Sequence, residues 1–421
     1  MTEKHDPRAL DPFRDSLALL FTRRFGTFWF ASLLSNVGTW AQQVAQPWLL
    51  LSLGASPFLL GLDSFASGGP VWMLTLIGGL LADRSDRRRV ILGFQSIQMF
   101  CPIAVVVLMA AGRIEPWIVI ALSLVIGVTD ALSMPSFQSI VPSMVDRSRI
   151  PAAYALNSTQ FNVSRIAGPA LAGLLMASVG ALACFAVSAA SYLPFIAVAL
   201  WILPRRAAGA NPAFDRAHPF EALRGIARDP YMRGALMTVL ATNLLCGPVI
   251  VFSPVLVKDA LQGGVGHFSA ALAAFGAGGL LGAVALLFVA PSRDRRSLVS
   301  AFAMALACVL VLVALNPSLA ALPALLVLAG ISMIGCNTSA NSLLQTFAPS
   351  TARGETVSLF NLAMRGGTSL GALLTGASVH LVGVRHALLV NGILALLASA
   401  AIAVRWSRVP MRNGGGDTRS N

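Results

Sequence analysis

Charge is what this chain has least of. Asp, Glu, Lys and Arg make up 11% of its 421 residues, against 56% hydrophobic residues and a mean hydropathy of +0.75, whereas soluble domains carry about 25% charged residues. A water-soluble core could not hide that much apolar surface, so a soluble globular fold is excluded. Paired-cysteine patterns are missing too. Cys101, Cys184, Cys246, Cys308 and Cys336 all fall in apolar stretches with no C-x-x-C or His-associated spacing, which argues against a disulfide framework or a metal site and leaves small packing residues. No G-x-x-x-x-G-K-[ST] phosphate loop, Ser-His-Asp set or dinucleotide fingerprint is present, so the chain reads as a non-enzyme that needs no cofactor and does not drive transport with ATP by itself. Basic residues outnumber acidic ones, 30 to 17, yet they are scattered over short loops without interleaved aromatics, which argues against nucleic acid as a partner. The first 25 residues hold no long apolar region before a small-residue cleavage site; the expectation is that the first span is its own insertion signal.

What the chain has in abundance is apolar length. A bilayer core of about 30 Å needs roughly 20 apolar residues per helix, and that length recurs twelve times, over 27–52, 57–82, 90–111, 116–140, 154–178, 181–203, 232–257, 267–290, 298–315, 319–346, 356–381 and 386–405. Turn residues punctuate them at Gly54 to Pro57, Gly112 to Pro116, Gly180, Asn316-Pro317 and Gly383. The expected organisation is a cytoplasmic tail (1–26), a six-helix bundle (27–203), a cytoplasmic linker (204–230), a second six-helix bundle (231–405) and a cytoplasmic tail (406–421). Orientation follows from the basic residues, which concentrate on the cytoplasmic side. With the N-terminus inside, 25 of the 30 Lys and Arg fall on cytoplasmic segments, and only Arg113, Lys258 and Arg385 fall outside. The reading is a multi-pass protein of the cytoplasmic membrane, both termini cytoplasmic, acting as a monomer in the lipid bilayer.

The two halves repeat. Asp83-Arg84-Ser85-Asp86-Arg87-Arg88-Arg89 follows one apolar stretch, and Arg293-Asp294-Arg295-Arg296 follows another, Asp294 lying 208 positions after Asp86. Arg165 and Arg365 lie inside apolar stretches 200 positions apart, each preceded by an Asn (Asn162, Asn361) and followed by a Gly-rich run. Duplicated halves with buried charges at matching depths are a common plan of secondary transporters.

These residues carry a resemblance. Gly79-Leu80-Leu81-Ala82-Asp83-Arg84-Ser85-Asp86-Arg87-Arg88 resembles the G-x-L-A-D-R-x-G-R-[KR] loop between helices two and three of the major facilitator superfamily, departing from it at Asp86, where the family usually has Gly. The resemblance implies an all-α integral membrane fold, twelve transmembrane helices in two pseudo-symmetric six-helix bundles. It also implies a gating role for Gly79, Asp83, Arg84, Arg87 and Arg88, with Asp294 and Arg295 in the second copy; the arginines would pair with acids or helix C-termini across the seam between the halves. In span five, Ser164-Arg165-Ile166-Ala167-Gly168-Pro169-Ala170-Leu171-Ala172-Gly173 resembles the G-x-x-x-G-P-x-x-G-G motif of the superfamily's proton-driven exporters. Gly168, Pro169 and Gly173 match it, and Ser164 and Ala172 replace two of its glycines. Leu156-Asn157-Ser158, Pro135, Pro142, Asn162, Arg165 and Arg353-Gly354-Glu355 are similar to the branch that includes enterobactin exporters and related drug exporters. The function implied is proton-coupled export of amphiphilic small molecules, drug-like or siderophore-like, by alternating access. The alternatives are an uptake symporter or facilitator for a metabolite, and a membrane receptor or scaffold.

Polar residues in a span are costly unless they face protein or water. In span one Ser32, Asn36, Thr39, Gln43 and Gln46 recur at steps of four and three, which puts them on one helical face. Span five carries Ser158, Asn162 and Arg165, span eleven Ser358, Asn361 and Arg365, and span ten Asn337, Asn341 and Gln345. These stripes are the candidates for a substrate cavity, or for hydrogen-bonded packing between helices. Ionisable residues well inside the spans are Asp63, Asp130, Arg165 and Arg365. Asp130 is the first candidate for proton coupling, because an acid in a low-dielectric helix can load and release a proton near neutral pH; a fixed pair with Arg165 or with the loop arginines is the alternative. Asp63 is the second candidate, or a hydrated side chain in the outer third of span two. Arg165, 11 residues into the expected helix and so about 16 Å deep, either faces the cavity or snorkels to the inner interface.

Overall fold

A computed structural model describes residues 17–146, 149–203, 219–288, 294–349 and 353–409, apart from the side chains of a few helical residues, among them Gly79, Asp83, Arg84, Arg87 and Asn162. Among these residues twelve spanning helices follow one another: α1 (Phe25–Ser52), α2 (57–84), α3 (Arg87–Ala110), α4 (Pro116–Ile140), α5 (Ile150–Ser178), α6 (Ala181–Ile202), α7 (230–260), α8 (Val265–Leu287), α9 (Arg295–Leu315), α10 (Leu322–Phe347), α11 (353–382) and α12 (Val384–Ser407). A short helix, Pro219–Arg228, leads into α7. The glycines expected at turns, Gly54, Gly112, Gly180 and Gly383, all have φ between 65° and 102°, a conformation that side chains disfavour. The fifth turn is closed by a side chain, with Asn316 Oδ1 accepting from the Ser318 N–H at 3.0 Å.

Eight of these helices are apolar and long enough to cross a membrane on length and composition alone: α3, α4, α6, α7, α8, α9, α10 and α12. The other four are α1, α2, α5 and α11. Of these, α1, α5 and α11 carry the polar stripes. Three spans are interrupted. In α2 the break falls between Gly68 and Pro70, and in α7 between Leu245 and Pro248, because proline has no N–H for the helix ladder; Gly69 and Gly247 before them keep helical dihedrals. In α11 the helix widens into a π turn over Leu362–Gly366, a local device frequent at functional sites.

The duplication is structural. Asp86 and Asp294 cap α3 and α9 in the same way, each accepting from the N–H two residues on at 3.0 Å, the usual work of an N-cap carboxylate. The Asp that departs from the loop motif is therefore a helix cap. Arg88 donates to the Leu200 carbonyl near the end of α6, and Arg296 to the Trp406 and Val409 carbonyls at the end of α12, at 3.4 and 2.9 Å. Both contacts satisfy the last carbonyls of a helix within the same half. The seam-crossing expected of these arginines is thus not made by Arg88, while the side chains of Gly79, Asp83, Arg84 and Arg87 lie outside the described residues.

Packing divides the molecule into two ends. At the end carrying the 53–56, 111–115, 261–264 and 316–321 turns, one apolar core runs through both halves, from Leu49, Leu60, Val119 and Phe185 to Phe252, Leu272, Leu310 and Leu388. Trp48 of α1 stacks there on Phe268 of α8, ring centroids 5.2 Å apart. At the other end the halves have separate cores: Phe28, Ile91, Ile140 and Phe195 with a neighbouring Phe25 and Ala153 cluster in one, and Met232, Val299, Leu343, Phe360 and Trp406 in the other. Among the described residues the bundles therefore share a core at one end and have separate cores at the end that carries the basic loops. Small residues make the joint possible. A Cβ on Gly61 would lie 2.5 Å from the Ala372 carbonyl oxygen, one on Gly376 2.9 Å from that of Pro57, and one on Gly173 3.1 Å from that of Ser269.

This gives a first expected result. Gly61→Val drives a branched side chain into the α11 backbone, and overpacking of this kind costs about 1–3 kcal/mol. It should move the protein away from the conformation closed at this end, seen as increased labelling of a cysteine placed at Leu53 or Leu261 by a membrane-impermeant maleimide. Unchanged labelling would mean that the seam does not gate this end.

Candidate substrate and coupling site

The four in-span charges, Asp63, Asp130, Arg165 and Arg365, fall into three environments. Asp130, midway along α4, accepts from an Arg365 terminal nitrogen at 2.6 Å. This ion pair crosses from the first half to the second. Arg365 sits in the π turn of α11, which turns its guanidinium toward α4, and its other terminal nitrogen lies 3.8 Å from the Met134 sulfur. Both partners remain partly accessible, with side chains 25% and 33% exposed, as expected in a cavity that water enters. Asp130 is thus paired in this conformation, but with Arg365 rather than with Arg165 or the loop arginines, the expected fixed partners.

Arg165 is placed differently from Arg365, despite their equivalent positions in sequence. It is the sixteenth residue of the 29-residue α5, deeper than the expected span start implied, and its guanidinium lies over the Trp40 ring of α1, 5.6 Å from the centroid. No acid pairs with it among the described residues. Arg165 is half-buried, so water meets part of its charge and the cation–π contact adds about 0.5–2 kcal/mol. Arg365 brings a second positive charge near it, since the two guanidinium groups are close enough for each to feel the other's charge.

Asp63 is in a third situation. It is 5% exposed, which removes the expectation of a hydrated carboxylate, and all its described partners are neutral. Gln46 Nε2 donates across its two oxygens at 2.9 and 2.8 Å, and Ser123 Oγ donates to Oδ1 at 2.6 Å. The cluster joins α1, α2 and α4 two residues from Gly61, next to the joint between the halves.

The sequence matches the transmembrane secretion effector family over residues 14–418. The chain belongs to this family of membrane transporters. It is 26% identical over 394 residues to the multidrug efflux pump Tap of Mycolicibacterium fortuitum, covering 90% of this chain and 95% of the relative. Over 214 residues it is 28% identical to the enterobactin exporter EntS of Salmonella choleraesuis, covering 49% and 50%. Among solved structures it superposes on the nucleoside transporter NupG with a TM-score of 0.72 at 12% identity, covering 92% and 100%. It also superposes on an inward-facing, unoccupied bacterial homologue of the lysosomal transporter Spinster, TM-score 0.70 at 14% identity, covering 93% and 97%. These likenesses establish the major facilitator fold.

The helix-five residues of this transporter pack in two directions. Gly168 lies against the Trp40 Cβ and the Val37 carbonyl of α1, while Gly173 faces α8 of the other half. Pro169 lies between them and approaches α8 near Gly276. The segment thus packs both within one half, against α1, and across the halves, against α8. The polar stripe of α1 is split: Thr39 meets the Tyr192 hydroxyl at 3.1 Å, Asn36 is half-buried, Gln46 is part of the Asp63 cluster, and Gln43 is exposed while the unpredicted Gln42 is buried. In the second half Asn337 accepts from Asn243 of α7 at 3.0 Å, which is interhelical bonding, and its own Nδ2 is buried with no described hydrogen-bond partner. Asn341 accepts from Gln345 on the same helix at 3.1 Å, and Asn361 is half-buried before the π turn. Asp294 is the cap described above, Arg295 is half-buried beside it, and the Asn162 side chain lies outside the described residues. Reading by single-helix stripes missed Gln42, Ser123, Tyr192 and Asn243; Ser123 stands alone among apolar neighbours, which is itself a signal that it bonds to another helix. Four cysteines are buried as expected, but Cys308 is exposed on α9.

Proposed function

We propose that this transporter exports amphiphilic small molecules by alternating access, in exchange for protons, from the cytoplasmic membrane. The observation that carries the reading is the asymmetry of the two ends: one core through both halves at one end, separate cores at the other, and an inter-half ion pair in the space between. Two rigid bundles that share one closed end and enclose charged groups are built to rock about that interior. The basic loops assign the parted end to the cytoplasm, so the conformation is inward-open, ready to accept substrate from the cytoplasm. The exporter direction is supported by the family and by relatives named as an efflux pump and an enterobactin exporter.

The two acids take separate roles. Asp130, with a cation at 2.6 Å, is the charged member of a latch between halves. Asp63 has neutral donors only, and a buried carboxylate without a counter-ion is costly where a carboxylic acid is not. Proton coupling is therefore assigned to Asp63: it loads a proton from outside, and substrate binding in the inward-open state releases that proton to the cytoplasm. When α2 and α11 separate at the outer joint, the Asp63 cluster next to Gly61 gains access to outside water and reloads.

The test is transport in inverted membrane vesicles with an imposed pH gradient, acid inside. Accumulation of ethidium or fluorescein that collapses on addition of a protonophore is the expected result. Movement of both dyes down their own gradients only, with no response to pH, would reject coupled export.

A further inference from the structure

We infer that the interior takes an organic anion: an amphiphile whose carboxylate, phenolate or similar group sits between Arg165 and Arg365. The inference rests on reading this interior as the transport site and adds the chemical class of the substrate. Three observations carry it. Among the described in-span charges near mid-depth there are two guanidinium groups and one carboxylate, and that carboxylate is already engaged with Arg365. Asp63 does not restore the balance, because its hydrogen bonds go to Gln46 and Ser123. Arg165 is left with an aromatic face as its described partner. A partly buried site with unmatched positive charge selects for anions and disfavours cations.

The placement of the two arginines fits one ligand reaching both. Arg165 precedes Ile166, whose carbonyl faces Gly276 of α8 at the seam between α5 and α8. Arg365 precedes Gly366, which packs under the Trp72 indole at the seam between α2 and α11. The arginines thus stand beside two seams between the halves, and the two tryptophans Trp40 and Trp72 supply apolar faces beside them. A planar body stacked on either ring, with its anionic group toward the guanidinium pair, would satisfy both kinds of contact. Asp130 then acts as the internal competitor: the ligand's anion and the Asp130 carboxylate contend for Arg365, so binding loosens the latch and permits the halves to rock.

The experiment is equilibrium binding by fluorescence anisotropy to the full-length protein in nanodiscs, using fluorescein as the anionic aromatic probe and ethidium as the cationic one. Fluorescein should bind at least tenfold more tightly than ethidium. Arg165→Gln should weaken fluorescein binding tenfold or more, with Arg165→Lys in between because the charge stays and the fork of donors is lost. Asp130→Asn should strengthen fluorescein binding severalfold, since it removes the competitor; a merely structural Asp130 would weaken it. Monodispersity on size exclusion shows that each variant is folded, and ethidium binding equal to or tighter than fluorescein, or fluorescein binding unchanged in Arg165→Gln, would overturn the inference. In the vesicle assay, pH-driven accumulation of ethidium without fluorescein binding would reject the anion class and leave coupled export standing. Arg165-dependent fluorescein binding without any pH-driven movement would uphold the class and count against coupled export.

Discussion

Asp63→Asn is expected to abolish accumulation driven by a pH gradient while leaving substrate affinity within about threefold of the parent. The amide has the shape of the acid and can remain in the cluster. Asn presents a donor where the carboxylate had an acceptor, but Gln46 can turn its own amide to accept and the Ser123 hydroxyl can rotate, so the net change in hydrogen bonding is about 1 kcal/mol. What the amide cannot do is exchange a proton. A protein locked in the neutral state should still bind ligand and still allow exchange of substrate for substrate across the membrane, since neither requires a change of charge. Counterflow retained with gradient-driven transport lost is the signature to measure, in proteoliposomes. Parallel loss of both would make Asp63 a structural residue, and gradient-driven transport at parent levels would pass the coupling role back to Asp130.

Breaking the inter-half latch from one side should be nearly as disruptive. Arg365→Ala leaves Asp130 without its cation. Removing one partner of a fully buried pair costs about 3–5 kcal/mol, and because these side chains are 25% and 33% exposed water takes up part of that, leaving about 1–3 kcal/mol. This conformation loses that much relative to states in which Asp130 is hydrated, so transport should fall about 5- to 150-fold. Asp130→Asn combined with Arg365→Gln should recover stability well above that of Arg365→Ala, since no charge is then left unpaired. Arg365→Lys should keep most of the latch, because the contact to Asp130 is made through a single nitrogen. Thermal unfolding of the single and double variants forms a cycle; a coupling energy below about 0.3 kcal/mol would remove the latch from the mechanism.

The sequence itself determined the helices and their order, and the reason is the solvent. In a bilayer every backbone group must be satisfied within its own helix, so span length, turn glycines and loop charge leave little freedom, and expected and observed span limits differ by no more than four residues. The duplication was legible for the same reason, since Asp86 and Asp294 act on their own helix ends. Partnership between helices was not legible. Periodicity gives the face of a helix but not what stands opposite it, and the 235 positions between Asp130 and Arg365 carry no local sign of their pairing. Nor does any residue announce the π turn that separates Arg365 from its sequence counterpart Arg165, or the neutral hydrogen bonds that bury Asp63 beside the seam. Whether a buried charge serves as latch, proton site or ligand anchor depends on which charge lies within about 4 Å of it, because Coulomb energy in a low dielectric rises steeply at short range. Only the packing of the two halves decides that distance.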